Sequence, residues 1–326
     1  MKGKAAGWQW LVGGALAVLA FLWITGNLEI PSIPSFKPVP GAAVQPEPVA
    51  EVPEGIRCPT DLTVDLNVRA KNPLNASLEW VGATIYYAQD GVSLGSAALN
   101  TDGTYKTITS GAECGEYYDL YTLNDADYVA VSKKGILAQG ASVEVDLEVP
   151  KSSDVEFKLL DNTYTDVNGT SGFYKDVTVP STAISFSSGD VKTYYLKVRT
   201  VSGAAQFGSD ELPVYICADF NLAKFSKSNG VIISGATPVE LPTYCAINGY
   251  DKAWMIEPIK STEGERTYTI TIRADLGDPG ESDDIKFLFI DSHYYLGNDG
   301  TIKWGTADDT GTAVGESDAW LILNLA

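Results

Sequence analysis

Apolar and polar positions change their rhythm along the chain, and each change predicts a different kind of element. From Ala5 to Leu28 no residue is charged, and Trp8 to Ile24 is almost wholly apolar. As a helix this stretch rises about 36 Å, enough to cross a hydrocarbon core about 30 Å thick. Trp8, Trp10 and Trp23 fall near its two ends, the depth that indole rings favour. The stretch is long for the apolar core of a signal peptide and no A-x-A-like site follows it, so it reads as a retained anchor. Residues 1–28 are predicted to be a short internal tip and a transmembrane helix, with the lipid bilayer as the partner of residues 5–28. Lys2 and Lys4 precede the helix and Glu29 follows it, which places the N-terminus inside and exports the rest.

Seven of the 16 prolines then fall between Pro31 and Pro53. Proline fixes φ and removes a backbone donor, so residues 29–55 should form an extended stalk. Beyond Ile56 the period becomes two. Leu62, Val64, Leu66, Val68 and Ala70 alternate with polar neighbours, as do Val143, Val145, Leu147 and Val149, and later Tyr268, Ile270 and Ile272. These are half-buried strands, and no capped amphipathic helix stands among them. The expected fold class is all-β: a tandem β-sandwich ectodomain, Ig-like or transthyretin-like, behind one N-terminal transmembrane helix and a Pro-rich stalk. Its expected modules are residues 56–150, 151–248 and 249–326, the last being either a third β domain or a continuation of the second.

The run Val81-Gly82-Ala83-Thr84-Ile85-Tyr86-Tyr87, the turn Asp90-Gly91, then Thr101-Asp102-Gly103-Thr104-Tyr105 and Gly115-Glu116-Tyr117-Tyr118 resemble the carboxypeptidase regulatory-domain-like, or transthyretin-like, β-sandwich. In that family a Gly-Ala strand start is followed by a Thr-Asp-x-Gly turn, an aromatic strand and a Gly-x-Tyr strand. The turn here is one residue shorter, and the likeness spans residues 81–118. The resemblance implies an accessory spacer or binding module and transfers no catalytic residue.

Charge narrows the partners. Forty-two acidic against 23 basic residues leave a net charge of −19, spread along the chain. Nucleic acid is excluded, because a phosphate backbone demands clustered Lys and Arg. Four cysteines without C-x-x-C spacing disfavour zinc and suit two disulfides on an oxidising side of the membrane. Pairing by proximity gives Cys58–Cys114 and Cys217–Cys245.

Enzymatic chemistry finds little purchase. The single histidine lies in Asp291-Ser292-His293, where a strand would turn Ser292 away from its two neighbours, so the three form no triad. No phosphate loop, dinucleotide fingerprint or nucleophile elbow is present. Asp275, Asp278, Glu281, Asp283 and Asp284 offer oxygen ligands for a calcium ion, but without EF-hand spacing, and Pro279-Gly280 already accounts for a turn. No other cofactor is expected. Asn298-Asp299-Gly300 reads as a hairpin turn.

Four Tyr-Tyr pairs carry more information: Tyr86 and Tyr87, Tyr117 and Tyr118, Tyr194 and Tyr195, Tyr294 and Tyr295. Successive strand residues face opposite sides, so one ring of each pair should leave the inner face and become a candidate for contact with a neighbouring domain, another copy of the chain, other surface or capsid proteins, a receptor or a glycan. The expected function is a non-enzymatic, single-pass membrane protein, displayed on a cell envelope or virion for assembly or attachment. Its alternatives are a carbohydrate- or solute-binding surface module and a membrane-tethered hydrolase.

Overall fold

A computed structural model describes residues 55–74, 79–123, 127–167, 172–179, 184–187, 189–220, 230–273, 283–306 and 319–325. The expected transmembrane helix and all but the last residue of the stalk lie outside this set, as do Asp275, Asp278 and Glu281. No helix among the described residues is long and apolar enough to cross a membrane. The described chain is all-β, with one short α-helix, α1, at Thr243–Ile247.

Residues 63–148 form a first sandwich. Its strands are β1 (Thr63–Asn72), β2 (Glu79–Trp80), β3 (Thr84–Gln89), β4 (Val92–Ala98), β5 (Lys106–Glu113), β6 (Tyr117–Thr122), β7 (Ser132–Leu137) and β8 (Ser142–Glu148). One sheet centres on β1, which pairs antiparallel with β2 and β5 and parallel with β8; the other runs β4-β3-β6-β7. Alternation does the folding. Val64, Leu66, Val68 and Ala70 of β1 point inward with Val145 and Leu147 of β8, onto Ile85, Tyr118 and Leu120 of the facing sheet. Asp90 and Gly91 join β3 to β4 with φ of 50° and 80°. Two positive φ angles in a two-residue loop match the right-handed twist of the strands they connect, which is why Asp-Gly stands there.

Only Val149 and Pro150, both buried, separate β8 from the next strand. The second sandwich holds β9 (Lys151–Ser152), β10 (Val155–Leu160), β11 (Val177–Val179), β12 (Val191–Thr200), β13 (Ala205–Phe207), β14 (Val214–Asp219), β15 (Val231–Ser234) and β16 (Thr237–Val239). After α1 come β17 (Lys252–Ile256), β18 (Ile259–Lys260), β19 (Arg266–Arg273), β20 (Asp283–Asp291), β21 (His293–Leu296), β22 (Ile302–Gly305) and β23 (Ala319–Leu325). A four-stranded sheet, β10-β12-β19-β15, faces a six-stranded one, β11-β23-β20-β14-β17-β16. Strands from both sides of Asn248 lie in each sheet.

The four-stranded sheet buries one face. Tyr194, Leu196 and Val198 of β12 and Tyr268, Ile270 and Ile272 of β19 point inward, while Lys197, Arg199 and Thr267 stay outside. The six-stranded sheet is covered on both. Its inner face carries Ile216, Phe287, Phe289, Leu321 and Leu323. Its outer face carries Cys217, Leu288 and Ile290, packed under Leu241, Tyr244 and Tyr250 around α1. A strand buried on both faces is a continuous apolar run, and Ile285–Ile290 is one, broken only by Lys286. The disulfide Cys217–Cys245 ties α1 to this sheet, and Cys58–Cys114 ties the chain ahead of β1 to the end of β5.

Candidate functional site

Three of the four tyrosine pairs divide into a buried and a more exposed ring, as strand geometry requires. Tyr118, Tyr194 and Tyr294 are buried, whereas Tyr117 is 60% exposed and Tyr195 and Tyr295 are half-buried. Tyr86 and Tyr87 are both half-buried, Tyr87 lying against the first core. Tyr118 is held by accepting the Glu113 amide, 2.8 Å, on its hydroxyl. Burial pushes the Tyr194 hydroxyl up to about 12, with Asp161 adding to the shift.

Tyr294 faces the first sandwich. Its ring meets Tyr121 of β6 edge-on, with centroids 4.9 Å apart, in a small apolar cluster with Ala88, Ala130 and Leu212. Its hydroxyl lies 3.3 Å from both the Ser132 hydroxyl and a Glu211 carboxylate oxygen, and that same oxygen accepts the Ser132 amide at 3.0 Å. Burial raises the Tyr121 hydroxyl well above the ordinary tyrosine range and shifts that of Tyr294 upward too, so both remain protonated donors. Nearby, the β21–β22 turn lies along β4: the Ser93 amide donates to Gly300 and the Ile302 amide to Gly91. Lys151 and Glu79 form an ion pair across the same junction, 2.7 Å. An apolar contact, backbone bonds and a carboxylate thus lock the two sandwiches together. The sequence marks Tyr294 by its pairing with Tyr295, but Glu211 and Tyr121 carry no comparable signal.

Two surface clusters stand apart from this joint. On the first sandwich the Arg69 guanidinium lies 4.9 Å from the Trp80 ring and 4.4 Å from the Tyr105 ring, and binds Asp146 through two nitrogens at 2.6 and 3.3 Å. Hydrogen bonding from Arg69, aided by Tyr105, holds the Asp146 carboxyl below its usual range. Gly103 completes the cluster: its φ is +82°, and a Cβ there would come within 2.5 Å of the Trp80 ring. On the second sandwich Tyr164, 66% exposed, stacks on Tyr195 with centroids 4.5 Å apart and planes 4° from parallel. The loop that carries Tyr164 also lines a polar groove of about 650 Å³ through Asp161, Asn162 and Asp166, with Asp190 and Lys192 opposite. Threonine hydrogen bonds hold Asp161 ionised, below the usual carboxylate range.

The Asp-Ser-His segment is buried. His293 Nε2 lies 2.8 Å from Asp291 Oδ1, both side chains about 5% exposed, while the Ser292 hydroxyl donates to the Pro213 carbonyl. Ser292 therefore points away from its neighbours, and the segment closes the sheet where β20 passes into β21. Of the five acidic candidates for calcium, three lie outside the described residues, and Asp283 and Asp284 open β20, paired with Leu325 and Asn324, instead of sitting in the loop. Asn298-Asp299-Gly300 turns β21 into β22, and Asp299 accepts the amide and hydroxyl of Thr301.

No family model and no curated protein matches the chain. Among solved structures it is similar to the full-length RrgB pilus protein of Streptococcus pneumoniae, at 10% identity over 78% of this chain and 50% of that one, with a TM-score of 0.35. A candidate carbohydrate binding protein from Bacteroides uniformis aligns at 13% identity over 74% of this chain and 95% of its own, TM-score 0.22. BcpA, the major pilin subunit of Bacillus cereus, aligns at 14% identity over 80% and 69%, TM-score 0.23. The chain spans about half the length of the streptococcal pilin. Alignments this weak carry no inference about what the chain does.

Proposed function

We propose that the chain is a non-enzymatic, membrane-anchored display protein whose sandwiches act by contact, in the assembly of a cell surface or virion or in attachment to a partner. The joint around Tyr294 carries this reading. Two sandwiches separated by two buried residues, and locked by the Glu211, Ser132 and Tyr294 bonds, present one fixed surface to the outside. Residues 5–28 would hold that surface at the bilayer and the prolines of residues 29–55 would set it off from the lipid. The histidine a hydrolase would call upon is engaged with Asp291 inside the sheet. A second reading, a carbohydrate-binding surface module, is supported by the Tyr164–Tyr195 stack on the loop that lines the polar groove.

The test compares Tyr117→Ala and Tyr164→Ala with His293→Gln in the full chain, scoring surface incorporation and partner binding while folding is followed by near-UV circular dichroism. An exposed aromatic anchor that is lost should weaken binding about tenfold or more, with His293→Gln matching wild type. A folded His293→Gln protein without function, beside tyrosine variants that behave normally, sinks the contact reading. A loss confined to Tyr164→Ala, with wild-type binding competed by free oligosaccharide, selects the glycan-binding form.

A further inference from the structure

The two sides of the first sandwich end in different kinds of edge. On one side stand β7, with exposed Lys133 and Lys134, and β8, with exposed Glu144, Asp146 and Glu148. Lys133 reaches across to donate to the Asp146 carbonyl, 3.0 Å, drawing the two sheet edges together. Charged side chains, lysine above all, are how an edge strand is kept from pairing with another chain. On the other side stand β4 and β5. The seven residues of β4 include no charge, and β5 has charges only at its first and last positions, Lys106 and Glu113. One residue in five of the whole chain is charged, so a bare edge of this length is a departure from its surroundings.

Hydrogen-bond alternation shows which backbone groups of β4 are free. The Leu99 amide donates to Ala83, and the register pairs Ala98 with Thr84 and Ser96 with Tyr86. In an antiparallel ladder the groups of alternate residues point away from the partner strand, so the amides and carbonyls of Ser96 and Ala98 point outward from β3. Towards Val92 that outward side is already occupied. There Ser93 donates to Gly300, and Val92 bridges Thr301 antiparallel. The same edge is thus a pairing surface, filled over one half by the chain's own β21–β22 turn and open over the other. Among the described residues nothing bonds the outward groups of Ser96 and Ala98. Leu94, at the boundary, is 48% exposed.

We propose that the open half of β4 pairs with β4 of a second copy of this chain, antiparallel about a two-fold axis, so that two β4-β3-β6-β7 sheets continue as one. With Ser96 opposite its counterpart, Leu94 of each copy stands opposite Ala98 of the other. Charge and geometry select this occupant. Molecules carrying −19 repel one another wherever acids crowd, and a neutral edge meeting itself sets no like charges opposite one another. A two-fold arrangement is self-complementary by construction. The chain's own proline-rich segment is a poor occupant, because seven of its residues lack the amide a ladder needs. The contact is short, and it rests on the display reading to the extent that anchoring in one membrane raises the effective concentration of copies to about the millimolar range.

The experiment uses the full chain reconstituted in lipid vesicles with a benzoylphenylalanine photocrosslinker at position 94 and, separately, at position 134. Illumination should give a dimer from the first protein, its cross-link mapped by mass spectrometry to β4 of the second copy, and none from the second. Ser96→Pro removes an outward donor without touching a bond to β3, and should cut the yield about tenfold with the melting temperature unchanged. Leu94→Lys, with the probe moved to position 98, serves if proline disturbs the strand. A missing dimer, a cross-link mapping elsewhere, or a yield that survives both substitutions overturns the proposal. The display reading fails separately, through the tyrosine and histidine variants, because none of those residues lies on β4.

Discussion

In the first sandwich, buried residues alternate with half-buried ones along β1 and with exposed ones along β8, whereas β20 of the second is buried at five consecutive positions, Phe287 to Asp291. The difference comes from what lies behind each sheet. In β8 solvent takes every second side chain, so Glu144, Asp146 and Glu148 stand there without cost. Behind the six-stranded sheet lies the segment around α1, stapled by Cys217–Cys245, and the outward residues Cys217, Leu288 and Ile290 must be apolar as well. A sheet with one wet face tolerates change on that face; a sheet covered twice tolerates little on either.

The largest test of this contrast is a cavity. Phe289 is fully buried and its ring lies 4.8 Å from Phe157, so Phe289→Ala should cost about 4 kcal/mol, measured by urea denaturation. Glu144→Ala, on the wet face of β8, should stay within about 0.5 kcal/mol. Equal losses would remove the distinction. Next is the staple. Replacing Cys217 and Cys245 by alanine should cost about 3 kcal/mol and preferentially release amide-exchange protection around α1, leaving β1 and β8 protected. Loss of protection spread evenly over both sandwiches would show that the staple acts on the whole molecule. The smallest effect belongs to Asp299, whose carboxyl is held down to about 2 by hydrogen bonds from Thr301 and then Lys303. Because the folded pKa is depressed, its contribution is present above the unfolded value near 4 and is lost as pH falls from there towards 2. Carbon-detected titration should find Asp299 ionised at pH 3, and Thr301→Ala should move its midpoint upward.

Much of the fold is legible in side-chain order. The period of two in Val64–Ala70 and Val143–Val149 marks strands because burial on one face imposes it, whereas Leu62, which extends the pattern, precedes β1 with φ of 58° and is 47% exposed; Asp90-Gly91 and Asn298-Asp299-Gly300 announce their turns because few residues accept those backbone angles. Asp291 and His293, two apart where β20 passes into β21, share a side because successive residues of an extended chain point to opposite sides. What stays hidden depends on strands far apart in the chain. Nothing near Glu211 or Tyr121 shows that they meet Tyr294, since that contact exists only once both sandwiches have formed. The open side of β4 is equally invisible, because a strand becomes an edge only through the order in which its neighbours pair. The expected anchor and stalk, residues 1–55, lie outside the described structure except for Gly55.

The parallel pairing of β1 with β8 has a mechanical consequence. The chain enters the first sandwich along β1 and leaves along β8 into the second, and the two strands lie side by side over seven residue pairs, from Asp65 with Ser142 to Lys71 with Glu148. Tension between an anchored N-terminus and a load on the second sandwich would pull these strands in opposite directions along their length. The ladder is then sheared, and its bonds share the force and must fail together. Pulling a hairpin open from its end would instead break them one after another. Under the proposed tethering, the fold would resist unravelling at the point where tension enters it.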